Sequence, residues 1–257
     1  MQITWLASYP KSGNTWARFL LYQYLHGEVT DSGQVSRIIP DLQAKGQVET
    51  AAQGKSELII KSHEMYRPGT RGARYIYLVR HPRDVILSCL SFMHMQSKGS
   101  LNKNVSDEQF VRLFLKLGTD PMYAPFGTIE QNWKSWLTQT AMPGVVVRYE
   151  DLKTDAFTEL RRMLEVLGAP FDEARARRAV ELSSFDRMKA LEVREKTAGK
   201  ESPVFLGSGR KLREGLRFMN KGQSFRSLEP VAKGLDAECD ARFRETIERF
   251  GYAAPRA

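Results

Sequence analysis

The sequence has few cysteines and no long apolar run. Its two cysteines, Cys89 and Cys239, lie far apart and show no metal-ligand spacing, which argues against a disulfide scaffold or a zinc site. No stretch approaches the ~20 apolar residues of a membrane span. The N-terminus lacks the charged-then-apolar pattern of a signal peptide. These absences predict a cytoplasmic protein that does not associate with membranes.

Length and charge set wider limits. The 257 residues are enough for one α/β domain, which we expect to span residues 1–257. The net charge of +9 fits either a nucleic acid or a small polyanionic cofactor as partner. The basic residues are spread along the chain and no zinc-finger or RNP signature is present, so we expect no nucleic-acid partner. Charge alone does not decide between the two.

The loop at residues 8–16, SYPKSGNTW, carries the strongest signal. It follows an apolar run, Ile3–Ala7, that predicts a buried strand, and it precedes a helical pattern over Thr15–Tyr24. Such a loop cradles phosphate, because its backbone N–H groups and the helix dipole both favour an anion. Further charge and donors come from Lys11, Ser12, Asn14 and Thr15. The lysine precedes the glycine and no GK[ST] follows, which argues against the main alternative, a P-loop kinase.

Apolar runs also predict the other strands of a parallel sheet. These runs are Leu58–Lys61, Tyr75–Val79 and Val145–Val147. His63, Arg80 and Tyr149 follow them. Ligands of open α/β sheets bind outside the carboxyl ends of the strands, so we expect these side chains to share one site. The pattern predicts an α/β fold with a central parallel sheet flanked by helices.

The connecting segments are less regular. Residues 27–54 are mostly polar connection and a candidate for a substrate rim. Residues 118–127 combine two prolines with Met122, Tyr123 and Phe126. They fit a satellite cluster and a substrate pocket or lid equally well. Residues 192–217 show little apolar periodicity, so we expect a mobile segment that a ligand partly orders.

Helices are predicted by caps and by apolar faces. Capping boxes are expected for Ser106 with Gln109 and for Ser183 with Asp186. A helix over residues 129–137 carries two tryptophans that we assign to the core. An amphipathic helix is expected over residues 238–250.

Several segments resemble, in order, those of cytosolic-type sulfotransferases that use 3′-phosphoadenosine 5′-phosphosulfate (PAPS). SYPKSGNTW resembles the family's 5′-phosphosulfate loop, TYPKSGTTW, and YLVRHPRDVILSCLSF resembles its 3′-phosphate-binding segment. KSH, YED, SSFxxM and FMNKG are weaker matches, and their joint order carries the resemblance. The loop variants look more similar to bacterial sulfotransferases that tailor small molecules than to animal ones.

The resemblance implies a P-loop-like three-layer fold and transfer of a sulfuryl group from PAPS to a small-molecule alcohol or phenol, without a metal. The implied catalytic residues are Lys11, which stabilises the leaving group, His63, the general base, and Ser88. Arg80 and Ser88 would hold the 3′-phosphate. His94, on the same predicted helix as Ser88, is the second candidate for the base. The remaining implied cofactor contacts are Ser12, Gly13, Asn14, Thr15, Trp16, Tyr149, Ser183, Phe185, Asn220, Lys221 and Gly222.

The chain departs from the family near its C-terminus. Asn220 stands where the family's FxRKG motif has arginine. The missing charge is expected from Arg210, Lys211, Arg213 or Arg217, in a segment that folds with Lys221 over the cofactor. The family's GDWKNHFT pattern, at which many members form a dimer contact, is also lacking. The sequence therefore does not decide whether the chain forms a homodimer.

Overall fold

Four parallel strands form the central sheet of the computed structural model, which describes residues 1–95, 105–199, 204–205 and 222–252. The strands are β1 (Gln2–Ser8), β2 (Glu57–Ser62), β3 (Arg74–Val79) and β4 (Gly144–Arg148). Their order in the sheet is β2-β1-β3-β4, and every neighbouring pair is parallel. The chain therefore passes from β2 across β1 to β3, and a topological switch point lies between β1 and β3. Ligands of open α/β sheets bind at such a point.

Helices make up most of the remaining described chain. They are α1 (Asn14–His26), α2 (Ser32–Ile38), α3 (Gln47–Ala52), α4 (Pro82–Met95), α5 (Asp107–Leu117), α6 (Ile129–Thr138), α7 (Tyr149–Thr154), α8 (Ala156–Leu167), α9 (Glu173–Leu182), α10 (Phe185–Thr197), α11 (Leu235–Arg242) and α12 (Arg244–Arg249). A 3₁₀ helix spans Pro121–Phe126. Within the described ranges, no helix is long and apolar enough to cross a membrane.

Alternating strand side chains give each face of the sheet its own core. Trp5 and Tyr77 belong to the core under α4, α5, α6, α11 and α12. Leu6 and Ile76 belong to the core under α1, α8, α9 and α10. The predicted three-layer α/β architecture is confirmed. The two tryptophans of α6 are buried in the first core, as predicted.

Helix caps explain several boundaries. The Ser106–Gln109 capping box is present at the start of α5. At the start of α10 the predicted box is wrong: Ser184 is the N-cap residue, and no side chain caps the helix. The Ser183 hydroxyl instead accepts a hydrogen bond from Gln23 Nε2 at 2.9 Å, so it is already occupied within the core.

Two other segments differ from expectation. Residues 27–54 contain the helices α2 and α3. Both are short and polar and have little apolar periodicity, so sequence patterns do not reveal them. The predicted C-terminal helix is divided at Phe243. The i to i−4 hydrogen bonds on both sides of Phe243 remain, so the buried face of Cys239, Phe243 and Ile247 continues across the break. Residues 192–217 were expected to be mobile. The first of these residues form the end of α10, and residues 200–203 and 206–217 lie outside the described chain.

Candidate active site

A cavity of about 770 Å³ opens at the carboxyl ends of the strands, where the switch point lies. The loop after β1, the residues that follow β2 and β3, and the start of α7 all contribute to it. Of the residues predicted for the site, it is lined by Lys11, Gly13, Asn14, Thr15, Trp16, His63, Arg80, Ser88, Tyr149, Phe185 and Gly222.

The cradle loop between β1 and α1 adopts a shape that few sequences allow. Lys11 has φ 69° and Gly13 has φ 101°, both in the left-handed region. A Cβ atom on Gly13 would lie 2.6 Å from Cδ2 of Tyr149, so the loop backbone packs directly against that ring. Glycine is required at residue 13 for its backbone conformation and for space. Gly13 is the N-cap residue of α1, so the loop leads directly into this helix.

Asn14 and Ser12 serve the loop itself more than the cavity. Asn14 Nδ2 donates to the carbonyl oxygen of Leu6 at 3.0 Å and to Ser8 Oγ at 3.2 Å. Ser12 is buried and does not line the cavity. Among the predicted donors of the loop, Thr15, Lys11 and Asn14 line the cavity. The Lys11 Nζ atom lies 4.3 Å from the ring centroid of Phe92, which also lines the cavity.

His63 follows β2, and its ring turns one nitrogen toward β1. Nδ1 lies 2.9 Å from the carbonyl oxygen of Ser8 and 3.2 Å from Ser8 Oγ. A carbonyl oxygen can only accept a hydrogen bond, so Nδ1 carries the proton and Nε2 holds the lone pair. Burial, together with the nearby charge of Lys61, lowers the pKa of His63 to about 3. His63 is thus neutral at pH 7 and has the tautomer of a base that acts through Nε2.

The other candidate base has a different environment. His94 Nε2 lies 2.9 Å from Asp107 Oδ1, and the side chain is 47% exposed. His94 does not line the cavity. The geometry favours His63.

A charge network supports the wall beside His63. Lys61 Nζ lies 2.9 and 3.0 Å from the carboxylate oxygens of Asp41 and 3.0 Å from Gln43 Oε1. Burial lowers the pKa of Lys61 to about 8, although Asp41 partly offsets this effect. Burial alone would raise the pKa of Asp41, but Lys61, His63 and Arg18 together hold it below its usual value. Lys61 and Asp41 therefore form an ion pair whose cation helps to keep His63 neutral.

Another part of the cavity lining contains the cationic Arg80. The Arg80 guanidinium lies 4.0 Å from the ring centroid of Tyr149, and its Nη1 donates to the carbonyl oxygen of Lys11 at 3.2 Å. Its Nη2 donates to the carbonyl oxygen of Gln223 at 3.0 Å. Ser88, on α4, lines the same cavity. Arg80 thus connects the cradle loop with the segment that begins at residue 222.

Aromatic rings of the implied cofactor contacts line another part of the cavity. Trp16 and Tyr149 contact edge to face, with centroids 5.9 Å apart. A Cβ atom on Gly222 would lie 2.9 Å from the Phe185 ring, so backbone passes directly over that ring. Ser184 lines this part of the cavity, whereas Ser183 does not. Asn220 and Lys221, like the basic residues between 210 and 217, lie outside the described chain.

The 3₁₀ helix forms a further wall. Met122, Tyr123 and Phe126 all line the cavity, and the Phe126 and His63 ring centroids are 6.0 Å apart. Tyr123 also packs against the core, so the segment has features of both interpretations, and its role toward a substrate stays a prediction. The buried Asn132 fixes this wall, since its Nδ2 donates to the carbonyl oxygens of both His63 and Phe126 at 2.9 Å.

Sequence reasoning missed some of the residues at this site. Asp41 and Gln43 come from the connection proposed only as a rim. Asn132 resembles any polar helix residue, because its role depends on two carbonyl groups distant in sequence. Arg226 lines the cavity from the segment after Gly222, where no pattern pointed to it.

Comparisons with known proteins identify the family of the chain. The family described as the sulfotransferase domain matches residues 2–250. Human sulfotransferase 1E1 is 29% identical over 198 residues, which are 72% of this chain and 65% of that protein. Cytosolic sulfotransferase 15 of Arabidopsis thaliana is 28% identical over 220 residues, which are 73% of this chain and 58% of that protein. The chain thus spans less than two thirds of the length of these relatives.

Solved structures share the fold at low sequence identity. Mouse sulfotransferase SULT7A1 complexed with PAP has a TM-score of 0.65 and 17% identity, covering 98% of this chain and 89% of that one. Retinol dehydratase in a complex with retinol and PAP has a TM-score of 0.71 and 14% identity, covering 99% and 84%. These likenesses confirm the P-loop-like fold. The family match over nearly the whole length shows that the chain belongs to the sulfotransferase domain family.

Proposed function

We propose that the chain transfers a sulfuryl group from PAPS to the hydroxyl group of a small-molecule alcohol or phenol. The observation that carries this proposal is a neutral His63, with its lone pair on Nε2, in the same cavity as Lys11. In-line transfer of this kind needs a base for the proton of the acceptor and a cation for the charge on the leaving group. Both groups are present in one cavity.

PAPS would supply an activated sulfuryl group on its 5′-phosphate. Its fit to the cavity is supported by donors that lack a partner. Arg80 Nε and Trp16 Nε1 are buried without a hydrogen-bond partner in the described part of the chain. A buried donor without a partner costs about 1–3 kcal/mol, and a ligand rich in acceptor atoms would remove that cost.

Each part of the nucleotide has residues suited to hold it. The N–H groups of the cradle loop, the start of α1 and Thr15 would bind the 5′-phosphate. Arg80 and Ser88 would bind the 3′-phosphate. Trp16, Tyr149 and Phe185 present aromatic surface to adenine. Base stacking of this kind contributes about 1–3 kcal/mol for each aromatic contact elsewhere.

Two residues would act on the reacting atoms. His63 Nε2 would accept the proton of the acceptor hydroxyl group, while the Ser8 carbonyl group holds the ring in place through Nδ1. Lys11 Nζ would stabilise the negative charge that grows on the oxygen between sulfur and the 5′-phosphate. Ser88 would act on the 3′-phosphate side.

The wall formed by the 3₁₀ helix supports a small-molecule acceptor. Met122, Tyr123 and Phe126 offer apolar and aromatic surface beside His63. An acceptor with an apolar or aromatic body would place its hydroxyl group near Nε2. The names of relatives support the class of reaction: a human relative is named sulfotransferase 1E1, and one from Flaveria bidentis is named flavonol 3-sulfotransferase.

The test is product formation from PAPS. The full chain is incubated with PAPS and a panel of phenols and alcohols, and both adenosine 3′,5′-bisphosphate (PAP) and sulfated products are measured. We expect PAP to form only when an acceptor is present. Absence of transfer to every acceptor, in a protein that also fails to bind PAP, would refute the proposal.

A binding comparison separates the alternatives. PAP should raise the melting temperature of the protein more than ATP with Mg²⁺ does. The reverse result would favour a P-loop-type kinase. Binding to nucleic acid that weakens steeply with salt, without response to PAP, would favour a non-catalytic nucleic-acid-binding protein.

The metal-free mechanism, the cytoplasmic location and a homodimer stay predictions. No group of three or more His, Cys, Asp and Glu suited to a metal occurs among the described residues. Transfer activity that survives excess EDTA would support the metal-free mechanism.

A further inference from the structure

The segment Gly222–Arg226 forms part of the cofactor side of the cavity. Gly222 passes over the Phe185 ring, and Gln223 accepts a hydrogen bond from Arg80. Phe225 has φ 57°, a left-handed conformation that a bulky residue rarely adopts. Its N–H group donates to Asp84 Oδ2 at 2.7 Å, which stabilises this conformation. The turn at Phe225 directs the next residue, Arg226, into the cavity lining.

Arg226 is held by one edge of its guanidinium group. Nε donates to Asp84 Oδ1 at 2.8 Å and Nη2 donates to the Asp84 carbonyl oxygen at 3.1 Å. The Asp84 side chain is completely buried, and that of Arg226 is 19% exposed. Within the described ranges, Nη1 of Arg226 has no hydrogen-bond partner. An arginine fixed on one edge keeps its other edge for a ligand, and that edge suits a phosphate group.

The charges of Arg226 and Arg80 both influence the pKa of Tyr149. Burial raises the pKa of Tyr149, whereas the charges of Arg80 and Arg226 both lower it. Geometry also relates the two arginines, because both line the same cavity and Arg80 contacts Gln223, which is close to Arg226 along the chain. Arg80 also has a buried Nε atom without a partner. The cavity lining thus combines two arginines with unused donors.

We propose that Arg226 binds the 3′-phosphate of the nucleotide together with Arg80. It would thereby replace the arginine that the family has at the position of Asn220. Asp84 is a positioning residue that orients the guanidinium group of Arg226. The inference rests on the proposed function, because it requires a 3′-phosphorylated nucleotide in the cavity. It differs from the sequence expectation, which looked for the charge upstream of Asn220.

The test compares two ligands that differ only in the 3′-phosphate. Calorimetry measures the dissociation constants of PAP and adenosine 5′-phosphate for the wild-type chain, Arg226→Gln and Arg226→Lys. We expect Arg226→Gln to weaken PAP about 10- to 100-fold, as for lost hydrogen bonds to a charged group, and to leave adenosine 5′-phosphate nearly unchanged. Arg226→Lys should fall between the two, because a lysine keeps the charge without the planar fork.

Arg83→Gln is the matched control. Arg83 lies on the same helix as Asp84 but forms ion pairs with Asp236 and Asp240, away from the cavity. It should leave the PAP preference unchanged. Equal losses of both ligands in Arg226→Gln would show that Arg226 only supports the local fold, and an unchanged PAP constant would exclude the contact. Either result overturns the inference.

Asp84→Asn distinguishes orientation from charge. It removes a negative charge beside a site for phosphate, so electrostatics alone predicts tighter PAP binding. If Asp84 orients Arg226, PAP binds more weakly. Tighter binding would overturn the positioning role. A wild-type chain that does not bind PAP would instead refute the proposed function, and with it this inference.

Discussion

The Nδ1 atom of His63 donates a hydrogen bond to the carbonyl oxygen of Ser8, 2.9 Å away. This contact joins His63 to the last residue of β1, which begins the cradle loop. It fixes the tautomer with its lone pair on Nε2. The orientation of the His63 ring is therefore tied to the residue at which the cradle loop begins.

Loss of the base should mainly affect turnover. His63→Ala is expected to lower kcat about 10²- to 10⁴-fold and to change PAP affinity little, because the ring accepts a proton but does not hold the nucleotide. Steady-state kinetics and calorimetry measure the two quantities. His94→Ala, which alters an exposed histidine outside the cavity, should keep normal turnover. A larger loss in His94→Ala would reverse the assignment of the base.

Acid should destabilise the protein through His63. Its pKa is about 3 when folded, compared with 6.5 for an ordinary histidine, so between these values the unfolded chain binds a proton that the folded chain does not. The free energy of unfolding should therefore decrease as the pH falls from about 6.5 towards 3. Urea unfolding at pH 7 and pH 5 should show a smaller decrease for His63→Asn than for the wild-type chain. Parallel decreases in both proteins would contradict the low pKa.

The cradle loop should not tolerate a side chain at residue 13. Gly13→Ala introduces a Cβ atom 2.6 Å from the Tyr149 ring at a backbone φ of 101°. We expect a loss of about 1–3 kcal/mol in stability, together with weaker PAP binding. Gly54→Ala provides the control, because Gly54 also has positive φ but nothing lies within 4 Å of its Cβ position. If both variants bind PAP equally well, contact with Tyr149 is not what shapes the loop.

Lys11 should be needed for the reaction more than for the fold. Lysine and alanine both have a Cβ atom, so the left-handed backbone at residue 11 is equally strained in the wild-type chain and in Lys11→Ala. The effect of this substitution therefore comes from the lost ammonium group. We expect kcat to fall about 10²- to 10³-fold, the usual cost of removing one group that stabilises transition-state charge. Stopped assays of PAP release measure it. Near-normal turnover in a folded variant would remove Lys11 from the reaction.

The aromatic wall should influence the acceptor and not the donor. Phe126→Ala is expected to raise the KM of an aromatic acceptor at least about 10-fold, because a large apolar contact beside His63 is lost. The KM of PAPS should not change. Leu117→Ala, at a side chain that is 42% exposed and outside the cavity, is the control. A parallel rise in both KM values would mean that Phe126 shapes the whole cavity.

Sequence patterns predicted the sheet and the cradle loop because both produce local signals. Buried parallel strands are apolar runs, and Gly13 marks the tight loop that follows β1. The N-cap residue of α10 was assigned wrongly because two neighbouring serines, Ser183 and Ser184, both fit the capping pattern. Only the contact of Ser183 with Gln23 decides between them.

Other site residues have no local signal at all. Arg226 reaches the cavity because Phe225 turns the backbone and Asp84 accepts from both residues. Asn132 acts through the carbonyl groups of His63, which follows β2, and of Phe126 in the 3₁₀ helix. Such roles arise from tertiary contacts between segments distant in sequence, and a linear pattern does not contain them.

The 3₁₀ helix is anchored on both sides by contacts that do not involve its cavity-facing side chains. Before it, the Tyr9 hydroxyl group lies 2.9 Å from Thr119 Oγ1 and accepts from the Asp120 N–H group at 3.1 Å. After it, Asn132 holds the Phe126 carbonyl oxygen. If the proposed function is correct, substitutions at Met122, Tyr123 and Phe126 would change the range of acceptors while these anchors keep the backbone of the wall in place.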